Sequence, residues 1–125
     1  MNVLLDTSAV IAGQLALDRE DSAAISVVTI CELRAGVLLA SDTSTQTARQ
    51  ARFVAIRDAF EPILVDEAVA ERYGEVLATA RAAQRITTAT DLLIVATAAA
   101  TGRSLCTLDQ SQAGLAEQCG VAIVR

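Results

Sequence analysis

The 125-residue sequence contains no histidine, no lysine and no tryptophan, and only one proline. The absence of histidine excludes a Ser-His-Asp triad, a Cys-His pair and a histidine-ligated zinc site. The absence of lysine excludes a Schiff base and the lysine of a phosphate-binding P-loop. Any chemistry must therefore come from carboxylates, hydroxyls, arginine and a metal ion bound from solution.

Positive charge is also scarce, because the formal net charge is −5 and every basic residue is arginine. A basic surface of the kind that binds duplex nucleic acid non-specifically is therefore not expected. A small site in which a metal ion meets a phosphate is still compatible with this charge. Arg49, Arg52 and Arg57 could hold phosphates, although a solvated helix face is the more ordinary interpretation.

Cysteine spacing and the length of apolar stretches bear on the cellular context. Cys31, Cys106 and Cys119 are far apart and odd in number, which predicts buried thiols rather than disulfides or a metal cluster. The longest apolar stretch, Leu92 to Ala100, is too short to span a bilayer. No basic region precedes the first apolar run. We expect a cytoplasmic protein with no membrane partner.

Apolar runs alternate with amphipathic segments, and hydrophobic residues make up 53% of the chain. At this length we expect one domain over residues 1–125. The predicted strands are Val3–Leu5, Ala24–Val28, Ile63–Val65, Ser104–Thr107 and Val121–Val124. The predicted helices are Ser8–Ala16, Thr29–Ala40, Ala48–Phe60, the segment capped by Asp66, Leu92–Ala100 and Gln110–Gln118, with an exposed loop at Asp18–Asp21. This alternation favours an α/β fold in which helices cover both faces of a parallel sheet.

Four carboxylates are predicted to meet at the carboxyl edge of this sheet, where ligands bind in such folds. Asp6 follows the first strand, and Asp109 follows the fourth. Glu32 lies in the first turn of the helix after the second strand, and Asp91 opens the apolar helix. Carboxylates at one edge would repel one another, and a divalent cation resolves that conflict. Hard oxygen ligands suit Mg²⁺ or Mn²⁺.

Each acid also has a purely structural explanation. Asp6 could cap the helix that follows it, and Asp109 could be a turn residue. Glu32 could be the capping-box partner of Thr29. Asp91 could stabilise its helix through the helix dipole, although that helix is otherwise apolar. The convergence of all four acids on one edge favours a site, and no single residue does.

The segments LLDTSAVIA, SVVTICELRAGV, TTATDLLIVATAAATG and LCTLD resemble, in order and spacing, the motifs of PIN-domain nucleases. More closely, the chain resembles VapC-type toxins, the ribonuclease half of bacterial toxin–antitoxin pairs. The resemblance spans nearly the whole chain and implies a three-layer α/β/α fold with a five-stranded parallel sheet. It implies that catalysis depends on Mg²⁺ or Mn²⁺ held by Asp6, Glu32, Asp91 and Asp109. It also implies an RNA substrate, an inhibitory cognate antitoxin and a homodimer.

Hydrolysis of RNA is consistent with the residues present. Without histidine, the base must be a carboxylate or a metal-bound hydroxide, since a metal lowers the pKa of its bound water. Thr7, Ser8 and Thr107 are candidates for orienting the acids or that water. Many relatives carry a further acid or asparagine after the last aspartate, where this chain has QSQAG. A second metal ion is therefore expected to bind weakly, or only together with RNA.

Missing residues argue against two other classes of protein, and two alternative functions stay open. A phosphorelay receiver domain would use a lysine, which this chain lacks. A phosphatase of the haloacid dehalogenase type would need a second aspartate where this chain has Ser8. The open alternatives are a PIN-type nuclease that processes RNA without being a toxin, and a catalytically degraded module that binds a metal or a partner. Metal titration separates a metal site from a module whose acids are only helix caps, because scattered caps would not bind Mn²⁺ with a defined stoichiometry.

Overall fold

The computed structural model describes residues 1–13 and 22–124 of the chain. In chain order its elements are β1 (Asn2–Leu5), α1 (Thr7–Ile11), β2 (Ser22–Ala24), α2 (Val27–Leu38), α3 (Thr43–Ala59), α4 (Glu67–Ala82), α5 (Ala89–Thr101), β3 (Ser104–Cys106) and α6 (Gln110–Gln118). The predicted loop Asp18–Asp21 and the end of the predicted helix Ser8–Ala16 lie outside the described residues. The last helix is confirmed at both ends.

β1 is the central strand of a three-stranded parallel sheet with the order β2-β1-β3. Leu4 of β1 pairs with Ala24 on one side and with Leu105 on the other. Acids that follow β1 and β3, or lie in the helix after β2, are therefore carried to the same edge of the sheet. This parallel arrangement is the one that the alternation of strands and helices predicts.

The expected five-stranded sheet is wrong in strand number, because the two outer segments make single bridges. Ile63 bridges Ser26, and Ile123 bridges Leu105, both in parallel. The side chain of Leu64, the residue after Ile63, is 66% exposed. Burial of this segment therefore does not favour further strand pairing. β3 is only three residues long, which limits the pairing available to Ile123. Each outer segment therefore extends the sheet at one position only.

The side chains of β1 alternate between two hydrophobic cores, as in a strand that is buried on both faces. Leu4 packs in one core with residues of α4, α5 and α6. Val3 and Leu5 pack in the other core with residues of α1, α2 and α3. Helices thus cover both faces of the sheet, and the carboxyl end of β1 is fixed between two packed layers.

Helix α2 begins earlier than the sequence predicts. Its N-cap is Ser26, whose side chain accepts a hydrogen bond from the backbone N–H of Val28 at 3.0 Å. Thr29 is the third residue of the helix and not its N-cap, so the alternative explanation of Glu32 as its capping-box partner does not hold. The β-branched run Ala24–Val28 favours a strand on local preference, but packing places its valines in the first turn of α2.

Two expectations concern the surface. Cys106 is buried and Cys119 partly buried, but Cys31 is exposed, so the prediction of three buried thiols is wrong for Cys31. Cys31 lies on the opposite side of α2 from the buried Leu33, which explains its exposure.

Among residues 1–13 and 22–124, no helix has the length and apolar character needed to cross a bilayer.

Candidate active site

Asp6 ends the central strand and is only 5% exposed. Its Oδ1 accepts the backbone N–H of Ala9 at 2.9 Å and the hydroxyl of Ser8 at 2.6 Å, and it is the N-cap of α1. Its own backbone N–H donates to the carbonyl of Cys106 at 3.0 Å, which ties it to β3. Asp6 is therefore both a helix cap and a nearly buried carboxylate at the sheet edge, so the two explanations are compatible.

Glu32 reaches the same edge through Thr7, the residue after Asp6. The hydroxyl of Thr7 donates to Oε1 of Glu32 at 2.6 Å. It also makes a hydrogen bond of 3.2 Å with the hydroxyl of Thr29, which is fully buried in α2. These two contacts hold the Glu32 carboxylate toward the end of β1.

Asp109 is the N-cap of α6, and it is exposed. Its Oδ1 accepts the backbone N–H groups of Ser111 at 2.9 Å and Gln112 at 3.3 Å. The hydroxyl of Thr107 accepts the backbone N–H of Asp109 at 3.1 Å. The turn that carries this acid is thus fixed on both sides of the aspartate.

Ser8 connects Asp6 with the turn that carries Asp109. Its hydroxyl donates to Asp6 and accepts the backbone N–H of Leu108 at 3.0 Å. It also lies 3.5 Å from the hydroxyl of Thr107. All three predicted hydroxyl residues therefore lie among the acids and contact them or their turns.

Asp91 lies in the first turn of α5, whose N-cap is Thr88. Burial raises the pKa of Asp91, and the negative charges of Asp109 and Asp6 raise it further, while a hydrogen bond with the Thr88 side chain acts in the opposite direction. Repulsion from two other acids indicates that the three carboxylates share one edge.

Two cavities open beside these carboxylates. The first, which we call the α5–α6 cavity, has a volume of about 250 Å³, and its lining includes Arg85, Thr88, Asp91, Asp109, Ser111 and Gln112. The second, the α2–α3 cavity, has a volume of about 400 Å³ and is lined by Ile11, Glu32, Leu33, Gly36, Arg49 and Arg52. Within residues 1–13 and 22–124, no three Asp, Glu, His or Cys side chains are arranged to hold a metal ion as they stand. The acids are gathered without a closed ligand shell.

A PIN domain family model matches residues 3–118 of the chain, which contain all four acids. The chain belongs to the PIN domain family. Two relatives from Mycobacterium tuberculosis place it among the VapC ribonucleases. Ribonuclease VapC4, from strain ATCC 25618 / H37Rv, is 38% identical over 91 residues, which are 73% of this chain and 69% of the relative. Ribonuclease VapC8, from strain CDC 1551 / Oshkosh, is 41% identical over 100 residues, 76% of this chain and 88% of the relative.

Solved structures with the same fold include toxin–antitoxin proteins. VapBC-5 from Mycobacterium tuberculosis, a member of the VapBC family of toxin–antitoxin systems, matches this PIN domain with a TM-score of 0.86 and 33% identity, over 99% of this chain and 98% of that chain. FitAcB from Neisseria gonorrhoeae matches with a TM-score of 0.76 and 24% identity, over 98% of this chain and 96% of that chain. The similarity to FitAcB, at 24% identity, supports only the fold.

Two residues at the site of this PIN domain are not identified by the sequence pattern. Gln112 is 4% exposed, and its Nε2 donates to the backbone carbonyl of Asp91 at 3.1 Å, which ties α6 to α5. Arg85 lines the α5–α6 cavity from the turn after α4. Neither residue belongs to the acid motifs, and their positions depend on how α4, α5 and α6 pack together.

Proposed function

We propose that this PIN domain is the endoribonuclease toxin of a toxin–antitoxin pair and hydrolyses phosphodiester bonds in RNA. The observation that carries the proposal is the placement of carboxylates at the end of β1, where Thr7 donates to Glu32 at 2.6 Å and Ser8 joins Asp6 to the turn that carries Asp109. The raised pKa of Asp91, caused first by burial and then by the charges of Asp109 and Asp6, agrees with this placement. Carboxylates that repel one another are stabilised by a divalent cation. The VapC relatives support the reaction class. Residues 1–125 are proposed to act as one domain.

The proposed ligands of Mg²⁺ or Mn²⁺ are Asp6, Glu32, Asp91 and Asp109. Their donor set fits these ions, because it consists of carboxylate oxygens. The capping bonds of Asp6 and Asp109 use Oδ1 in each case, so these bonds do not engage the second oxygen. Since the described residues form no closed group of three ligands, we propose that the ion draws the carboxylates together when it binds.

A bound divalent ion would lower the pKa of its water and neutralise charge on the phosphate. The chain's own residues set the geometry. Thr7 holds Glu32 through a hydrogen bond of 2.6 Å, and Ser8 and Thr107 fix the turns that carry the aspartates. We propose that these hydroxyls position the carboxylates and do not touch RNA.

We propose a cognate antitoxin as the protein partner, because VapBC-5, with the same fold and 33% identity, belongs to a toxin–antitoxin family. A cavity lined by carboxylates would attract an arginine of such a partner. We also propose a cytoplasmic homodimer, on the resemblance of the sequence to this family.

Asp91→Asn tests the function directly. We expect the variant to lose RNA cleavage by at least about 100-fold, since even residues that only orient metal ligands contribute about 10- to 100-fold. The measurement is end mapping of mixed RNAs incubated with purified protein and Mg²⁺, with circular dichroism as a check on folding. Expression of the wild type alone should stop growth, and an adjacent small open reading frame should relieve the arrest.

Asp66→Asn is the matched control, because Asp66 caps α4 and lies outside the site. It should cleave RNA at the wild-type rate. Strong cleavage by Asp91→Asn, or by the wild type in excess chelator, would overturn the metal-dependent assignment. Strong RNase activity in vitro together with harmless expression would overturn the toxin assignment alone.

A further inference from the structure

Arg85 is held in a defined position at the edge of the α5–α6 cavity. It follows Gln84, whose φ of 56° turns the chain sharply after α4. Its Nε donates to Oε1 of Gln118 at 2.6 Å, and its Nη1 donates to the carbonyl of Ser111 at 3.4 Å. The guanidinium therefore lies along α6, the helix that Asp109 caps.

Gly114 lies against this guanidinium. A Cβ atom at residue 114 would lie 2.9 Å from Nη2 of Arg85, so the end of the arginine side chain would have to shift to accommodate it. Glycine is unfavourable in the middle of a helix by about 0.5–1 kcal/mol relative to alanine. Here its lack of a side chain allows the guanidinium to lie against the helix backbone.

Arg85 forms no ion pair with any residue in the described part of the chain. Its hydrogen-bond partners there are an amide oxygen and a carbonyl, and no carboxylate lies within ion-pair distance of it. Two of the five N–H donors of the guanidinium are used in these bonds. The guanidinium, with three N–H donors that the described residues leave unused, therefore lines the cavity that also contains Asp91 and Asp109.

We propose that the α5–α6 cavity is a subsite for the nucleotide next to the scissile phosphate, and that Arg85 binds the phosphate of that nucleotide. This inference rests on the proposed ribonuclease function. A guanidinium presents a planar fork of donors that matches a phosphate. Ser111 and Thr87 add polar groups to the lining, while the fully exposed Ile86 adds apolar surface for a ribose or base.

The test measures binding of a mixed-sequence, single-stranded oligoribonucleotide in chelator, where no cleavage is expected, over a series of salt concentrations. Arg85→Ala should weaken binding about tenfold and reduce the slope of log K against log salt by about 0.7, the contribution of one phosphate contact on a single strand. Arg85→Lys should keep the slope and lose part of the affinity. The Mn²⁺-induced rise in the melting temperature should be unchanged in both variants.

Gly114→Ala tests the position of the Arg85 guanidinium without destabilising the fold. Alanine favours the helix, so the melting temperature should stay the same or rise, while the shift of the guanidinium away from the new Cβ should weaken RNA binding less than Arg85→Ala does. Arg72→Ala is the control, because Arg72 is an exposed arginine of α4 that pairs with Glu75 at 3.1 Å. It should bind RNA like the wild type.

Equal affinity and equal salt slope for Arg85→Ala and the wild type would overturn the subsite, even if the wild type cleaves RNA. A loss of the Mn²⁺ response in Arg85→Ala would also overturn it, since the residue would then act through the metal site. Failure of the wild type to bind or cleave RNA would overturn the proposed function, and the subsite with it.

Discussion

The two cavities beside the carboxylates differ in their balance of charge. The α5–α6 cavity contains two carboxylates, Asp91 and Asp109, and the single guanidinium of Arg85. The α2–α3 cavity contains one carboxylate, Glu32, and two arginines. Acids therefore outnumber arginines in the lining of the α5–α6 cavity, and arginines outnumber acids in the lining of the α2–α3 cavity.

Because of this difference in charge, removing an acid should affect metal-free stability differently in the two cavities. On the α5–α6 side, burial and neighbouring acids raise the pKa of Asp91, so an ion would relieve existing repulsion. On the α2–α3 side, Glu32 is already held by Thr7, and Arg49 is fixed by a bond of 2.8 Å from its Nη1 to the carbonyl of Gly36. We therefore expect similar losses of metal binding but opposite changes in metal-free stability when acids on the two sides are removed.

Melting curves with and without Mn²⁺ give the largest expected difference. At a metal concentration a hundredfold above Kd, binding should stabilise the wild type by about 2.7 kcal/mol, a rise of several degrees. Asp109→Asn and Glu32→Gln should each lose most of this rise. Without metal, Asp109→Asn should melt at or above the wild-type temperature, because asparagine still caps α6 and one repelling charge is gone. Glu32→Gln should melt slightly lower.

Asp42→Asn is the matched control for this measurement. Asp42 caps α3 through the backbone N–H of Thr45 at 2.7 Å, but it lies outside both cavities. It should keep the full Mn²⁺ response. An equal response in Asp109→Asn and the wild type would show that Asp109 is not a ligand, and no response in any protein would show that the site does not form.

Thr7→Val tests the link between the two sides with a smaller effect. Valine keeps the shape of threonine but removes the hydroxyl that donates to Glu32 at 2.6 Å. We expect cleavage to fall about tenfold and stability to fall by about 1.5 kcal/mol, as for a hydrogen bond to a charged group. Thr7→Ser should restore both, as single-turnover assays and denaturant unfolding would show. Full activity in Thr7→Val would mean that Glu32 needs no such support.

The pH dependence of metal-free stability gives the smallest effect. Because the pKa of Asp91 is raised in the folded protein, the fold favours its protonated form. The resulting stability is fully present below the ordinary pKa of aspartate and is lost as the pH rises through the raised pKa. The stability of the wild type relative to Asp91→Asn should therefore increase as the pH falls from neutral. A difference that does not change with pH would contradict the raised pKa of Asp91 in the folded protein.

The sequence predicts the positions of Asp6, Asp91 and Asp109 well, because each is tied to the end of a strand or the start of a helix. Its prediction that Glu32 lies in the first turn of a helix is wrong, because α2 begins at Val27 and places Glu32 in the second turn. Asp6 and Asp109 follow short apolar runs, and β1 and β3 occupy those runs. Asp91 opens a strongly apolar helix, and α5 begins two residues before it. In these cases the local pattern and the packing favour the same structure.

Prediction from the sequence is wrong where tertiary packing overrides the local secondary-structure preference. Val27 and Val28 favour a strand but lie in α2, and Ile63 begins a predicted strand that makes only one bridge. Arg85 and Gly114 form a contact between α6 and the turn after α4, and only the packed structure reveals this kind of contact. Whether the four acids bind a metal ion stays a prediction.

The pairing of β1 with β3 has a consequence for the order of folding. Val3 pairs with Ser104, so almost the entire sequence separates the two strands that carry Asp6 and Asp109. Contacts of such long range form late, because the intervening chain must first lose its conformational freedom. A chain emerging from the ribosome therefore cannot assemble this edge until residue 109 has been synthesised. Partial translation products that end before residue 109 would therefore lack the group of acids at this edge.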